Sequence, residues 1–104
     1  MKRGEVWWVD DPEAGRRPHL LLTRDAAIPV LASVLAVPAT RTIRGIPTEV
    51  LLGPEDGMPV ECALSLDNLT VLPKAFFTER IAALGPHHLA NVCRALAVAT
   101  ECGT

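Results

Sequence analysis

Residues 4–10 read Gly4-Glu5-Val6-Trp7-Trp8-Val9-Asp10, residues 11–17 read Asp11-Pro12-Glu13-Ala14-Gly15-Arg16-Arg17, and residues 18–23 read Pro18-His19-Leu20-Leu21-Leu22-Thr23. The first piece is β-branched and aromatic, the composition of a strand. The second mixes Pro12 and Gly15 with charges and reads as a loop. In the third, Pro18 holds Arg17 extended, at the mouth of a strand over residues 19–23. The same pattern continues downstream. Residues 34–38 and 48–52 read as strands, the latter ended by the turn Gly53-Pro54-Glu55-Asp56-Gly57. Residues 62–66 alternate, with Cys62, Leu64 and Leu66 on one face and Ala63 and Ser65 on the other. A strand at 69–72, a connection at 73–77 and a last strand at 79–84 follow. Only the C-terminus is helical: Pro86 suits a first helical position, and Leu89, Val92, Cys93 and Leu96 keep helical spacing until Gly103. Short strands closed by one helix predict a mainly β fold, a small, strongly curved sheet or barrel.

At 104 residues, with 49% hydrophobic and 21% charged, the chain is expected to form one globular domain over residues 1–104. The formal net charge of −2 excludes a strongly cationic arm, yet the charge is uneven. Residues 1–44 hold seven basic against five acidic residues, and residues 45–104 hold three against seven. A local phosphate site is therefore expected in the first half, without bulk attraction to nucleic acid. Cys62, Cys93 and Cys102 form no C-x-x-C pair, and an odd count makes a poor disulfide framework. They fit a reducing cytosol, with Cys62 and Cys93 at apolar positions. The start Met1-Lys2-Arg3-Gly4-Glu5 lacks the apolar run of a signal peptide. The most apolar segment, residues 28–39, is broken by Pro29, Ser33 and Pro38 and is too short to cross a bilayer. A cytoplasmic protein without a membrane partner is expected.

Metal chemistry finds no support in the pattern. His87 and His88 are adjacent, so their side chains diverge, and they read as surface histidines with no ligand partner at helical spacing. No metal and no cofactor are expected. Three fragments remain. Arg16-Arg17-Pro18 sets two rigid cationic forks before a strand, suited to phosphate or merely solvated. Pro38-Ala39-Thr40-Arg41 places a hydroxyl and a cation at the end of the third strand. Ser65-Leu66-Asp67-Asn68 brings polar groups out of an apolar strand, unless it is only an Asx turn.

In this order the fragments resemble the MazF/PemK toxin family of bacterial toxin–antitoxin systems. Arg3-Gly4-Glu5-Val6-Trp7 matches its R-G-[ED]-[VI]-[WY] start, and Arg17-Pro18-His19-Leu20-Leu21-Leu22 its R-P followed by an aliphatic strand. Val37-Pro38-Ala39-Thr40 matches its V-x-[PAI]-T segment, and Asp67-Asn68-Leu69-Thr70 its D-[QN]-[IL]-[RT] strand. The resemblance implies an SH3-like barrel of the CcdB/MazF type with a C-terminal helix, a homodimer, and a metal-independent, sequence-selective endoribonuclease neutralised by a MazE-like antitoxin. It assigns catalysis to Arg17 and Thr40. Some members carry an Arg two residues before the Asp, and here that position is Ser65. The loop over residues 11–16 is also shorter than in many relatives.

The chemistry can be argued beside the family. RNA supplies its own nucleophile, the 2′-hydroxyl, so an enzyme must align it, stabilise charge on the phosphoryl oxygens and let the 5′-oxygen leave. Arg17 suits charge stabilisation and not base work, and Thr40 can donate to a phosphoryl oxygen. Arg16, His19, Arg41, Arg44, Ser65, Asp67 and Asn68 are the candidate substrate contacts. Of Trp7 and Trp8, on opposite strand faces, one is expected in the core. The other stacks on a base or, the favoured reading, packs at a dimer contact. Together with Phe76 and Phe77 they supply more apolar surface than so small a barrel buries, which favours a dimer. The alternative is a CcdB-like protein that poisons gyrase by binding, or a non-catalytic barrel. Arg17 with Thr40 favours the nuclease.

Overall fold

The computed structural model describes residues 1–103. Its strands are β1 (Glu5–Asp11), β2 (Gly15–Leu21), β3 (Ser33–Thr40), β4 (Glu49–Leu52), β5 (Cys62–Ser65), β6 (Thr70–Pro73) and β7 (Phe77–Ala83), followed by the helix α1 (Pro86–Thr100). Short 3₁₀ turns over Pro54–Asp56, Leu66–Asn68 and Lys74–Phe76 join them. All pairings are antiparallel, in the order β4-β5-β3-β2-β1-β7, with β6 also on β3. Two register shifts between β1 and β7 add bend. The result is the expected mainly β fold, a sheet curled into a half-barrel and closed by one helix.

The run Leu20-Leu21-Leu22 is apolar at every position because β2 is covered on both faces. Leu20 and Leu22 join a cluster with Val6, Val37, Leu52 and Leu64, onto which α1 sets Val92 and Ala95. Leu21 joins a second cluster with Val9, Val34, Ala36, Leu72 and Phe77. A residue such as Leu21, with no exposed area, contributes about 1.5–3 kcal/mol by leaving water. Gly4, at φ +94°, lets the chain enter β1 beneath the helix. A Cβ there would sit 3.1 Å from Leu89 and 3.4 Å from the Leu84 carbonyl oxygen.

The structure corrects several sequence expectations. The loop before β2 is shorter than residues 11–17, because β2 starts at Gly15 and Arg16 and Arg17 pair with Asp10 and Val9. A strand ladder, not the local Pro and Gly content, decides their conformation. Cys93 is exposed on α1, since the buried stripe runs through Val92 and Ala95. His88 is half-buried, its Nε2–H donating to Asp56 Oδ1 at 2.6 Å, so it anchors the helix to the Pro54–Asp56 turn. The aromatic residues do not form one exposed patch: Phe77 is in the second cluster, and Trp7 and Phe76 pack against it. Exposed apolar side chains lie elsewhere, at Val30, Leu31, Leu35 and Val71 among others.

Candidate active site

β2 and β3 part company at one rung. Their pairing runs Leu21–Ala36, Leu20–Val37 and His19–Pro38, and goes no further. Beyond it, Ala39 and Thr40 pair with Leu64 and Ala63 of β5 instead, while Arg16, Arg17 and Pro18 stay on β1. Pro18 and Pro38, which carry no N–H to donate to a ladder, sit at this fork. Between the diverging strands lies a cleft of about 400 Å³. Arg16, Arg17 and Pro18 line one side, Ala39 to Thr42 another, and Met58, Pro59, Val60 and Cys62 a third, with Trp8 beside them.

The charged residues that line the cleft are all arginines. Among the described residues lining it there is no carboxylate and no histidine, against three arginines. Arg17 is exposed, and among the described residues no carboxylate lies within ion-pair distance of Arg17 or Arg41. Two arginines without carboxylate partners at the rim of one cleft have the chemistry of an anion site. Thr40 stands at the end of β3, and its Oγ1 accepts the Thr42 backbone N–H at 3.1 Å. A hydroxyl holds one donor and two acceptor positions, so that contact leaves the O–H proton available to a bound oxyanion.

Of the nine candidate residues, the fork therefore unites four: Arg16, Arg17, Thr40 and Arg41. The other five do not line this cleft. His19 is buried, donating from Nδ1 to the Arg17 carbonyl at 3.1 Å. Burial first, then the Arg17 charge, push its pKa below the usual histidine value, so it is neutral near pH 7. It props the Arg17 backbone. Ser65 is buried and accepts from Asn68 Nδ2 at 2.7 Å, while Asp67 accepts from Thr48 Oγ1 at 2.6 Å. These hydrogen bonds hold the corner between β5 and β6 together and tie it to Thr48, just before β4. Arg44 is exposed outside the cleft, with its backbone N–H on Glu49 Oε1 at 3.0 Å.

Sequence reasoning missed Met58, Pro59, Val60 and Cys62 as a wall, and left the second tryptophan between base stacking and the favoured dimer contact. Trp8 borders the cleft, opposite Pro18 in the ladder. Strand alternation carried that signal, because Trp8 shares its face with Pro18 and Arg16. Burial, then the nearby Asp56 charge, push the Cys62 thiol pKa above its ordinary value, which disfavours the thiolate a nucleophile needs.

A family model for the PemK-like, MazF-like toxin of type II toxin–antitoxin systems matches residues 2–100. Over 101 residues the chain is 44% identical to "Probable endoribonuclease MazF5" of Mycobacterium tuberculosis, covering 96% of this chain and 93% of that protein. It is 39% identical over 103 residues to "Probable endoribonuclease MazF2" of the same species, covering 98% and 100%. A solved endoribonuclease in complex with its cognate antitoxin, from a mycobacterial species, superposes with a TM-score of 0.90 at 30% identity, covering 100% of this chain and 98% of that one. A MazE–MazF structure from Deinococcus radiodurans gives 0.82 at 28% identity, with 97% and 96% covered. Agreement in sequence over nearly the full length, and in fold, makes this chain a member of the PemK-like, MazF-like toxin family of type II toxin–antitoxin systems.

Proposed function

We propose that this MazF-family endoribonuclease cuts RNA with the substrate's own 2′-hydroxyl as nucleophile, in a cleft that supplies charge and hydrogen bonds and needs no metal or cofactor. The observation that carries the reading is the meeting of Arg17, Thr40 and Arg41 at the β2–β3 fork, with both arginines free of carboxylate partners among the described residues. In the step, the 2′-oxygen bonds to phosphorus as the bond from phosphorus to the 5′-oxygen breaks. The 2′-hydroxyl gives up its proton, and the departing 5′-oxygen takes one up. The products are a 2′,3′-cyclic phosphate and a 5′-hydroxyl. Arg17 stabilises the charge that grows on the phosphoryl oxygens, Thr40 donates its O–H to one of them, and Arg41 holds the strand.

The mycobacterial relative was solved with its cognate antitoxin. By likeness, this chain acts in the cytoplasm as a single toxin domain and a homodimer, with a cognate MazE-like antitoxin as its inhibitor. An acidic antitoxin segment over Arg17 and Arg41 would occupy the place of RNA. No helix among the described residues is long and apolar enough to cross a membrane. The test is to map the ends of cellular RNA cut by the purified chain in excess chelator. Cyclic-phosphate and 5′-hydroxyl ends are expected. Cleavage that starts only after a divalent metal is added, or that leaves 5′-phosphates, contradicts the proposal.

A further inference from the structure

Arg16 differs from the other two arginines of the cleft. Its guanidinium carbon sits 4.7 Å from the centre of the Trp8 ring, and its nitrogens lie 3.6 Å from Asp10 and 3.5 Å from Glu79. One cation between two carboxylates leaves this corner net negative, which opposes a phosphate. The carboxylates do not hold the guanidinium rigidly. The Asp10 and Glu79 side chains are 53% and 70% exposed, so solvent screens both contacts. What seats the group is the indole face beneath it.

Trp8 is the only aromatic ring among the described residues lining the cleft, and the wall near it is apolar, from Pro18, Pro59 and Val60. Its position is fixed by β1, where it stands opposite Pro18. An indole topped by a planar cation, between apolar walls and with acceptors at its edge, suits a flat, uncharged ring that carries amino groups. In an RNA strand, that ring is a nucleobase. Bases stack on aromatic side chains and on guanidinium planes alike.

We infer that Trp8 and Arg16 form a stacking platform for one nucleobase of single-stranded RNA, beside the phosphate taken by Arg17 and Thr40. The inference rests on the nuclease reading and adds a division of labour to it. The unpaired cations take the backbone, which carries no sequence, and the paired cation takes a base, where sequence can be read.

The test uses the full chain and a short single-stranded RNA carrying the cleavage sequence mapped from cellular RNA, with 2′-deoxyribose at the scissile nucleotide so that it binds uncut. Fluorescence anisotropy gives Kd for this strand and for versions lacking one base at a time. The wild type should lose about 10-fold or more at one abasic position, the scale of a lost stack. Trp8→Leu should lose a similar factor on the intact strand and nothing further at that position, whereas Trp8→Phe should keep both affinity and base sensitivity. Should Trp8→Leu fail to fold, Arg16→Ala carries the same cycle and must lose sensitivity to the same base. Folded variants that weaken every strand equally, or none, overturn the platform, as does a wild type that cuts RNA yet ignores every abasic position. A wild type that neither cuts nor holds these strands overturns the nuclease reading instead.

Discussion

At one end of β2, Leu20 and Leu21 are fully buried and each feeds a different cluster, while at the other end Arg16 and Arg17 are exposed at the rim of the cleft. From Gly15 to Leu20 the strand pairs with β1. The two ends differ in whether β3 runs alongside, and β3 leaves after the His19–Pro38 rung. Where the third strand runs alongside, the two core clusters also cover both faces, and burial decides the residues. Where it departs, backbone and side chains open to solvent, and charge decides them. One short strand thus holds a buried anchor and an exposed, cationic rim a few residues apart, which is how a chain of this size presents Arg17 without a long loop.

Separate perturbation of the two ends should have separate consequences. Leu21→Ala removes buried atoms from the second cluster and should cost about 2–5 kcal/mol of stability. Cleavage per folded molecule should stay near wild type at low temperature. Urea unfolding beside single-turnover cleavage checks both halves, and a large rate loss in the folded fraction would show that the two ends are not separable. Thr40→Val acts on the rim. It keeps shape and removes the hydroxyl, and should slow single-turnover cleavage by about 100-fold, the low end for a lost oxyanion donor, with little change in melting temperature. Lost stability with an unchanged rate would reduce Thr40 to the turn it makes with Thr42.

The smallest effect sits at the boundary rung itself. Burial, followed by the Arg17 charge, depresses the His19 pKa below its ordinary value of 6.5. Below that pH the unfolded chain takes up a proton more readily than the folded one. Stability is therefore fully present above about pH 6.5 and falls as pH drops through the lower folded value. A plot of unfolding free energy against pH should show this limb in the wild type, and His19→Asn should flatten it. A second limb, from Asp56, lies further into acid. The Gly53 backbone N–H and then His88 hold that carboxyl below its ordinary 3.8, and Asp56→Asn should remove that limb alone.

The strands and the closing helix were legible because they rest on local pattern: the aromatic run of β1, the leucines of β2, Pro86 before the helical stripe. That Arg17 and Thr40 line one cleft agrees with the motifs around Pro18 and Pro38 that singled them out. What escaped depends on chain segments far apart in sequence. The fork exists because β3 exchanges β2 for β5, and no window of sequence around Thr40 records that exchange. His88 looked like a surface residue because its partner, Asp56, is thirty-two positions away. For Ser65, Asp67 and Asn68 the sequence leaves a site and a turn open, because polar residues leaving a strand fit both, and the hydrogen bonds to Asn68 and Thr48 form between side chains that the sequence keeps apart.

The most direct test of the fork as the cutting site is single-turnover cleavage of RNA by Arg17→Ala, read beside its melting temperature. The side chain is exposed and has no ion-pair partner among the described residues, so the fold should melt as the wild type does. Cleavage should fall by about 100-fold or more, since a charge-stabilising donor at the phosphoryl oxygens is gone. A folded Arg17→Ala chain that cuts RNA at the wild-type rate would place the chemistry somewhere other than this cleft.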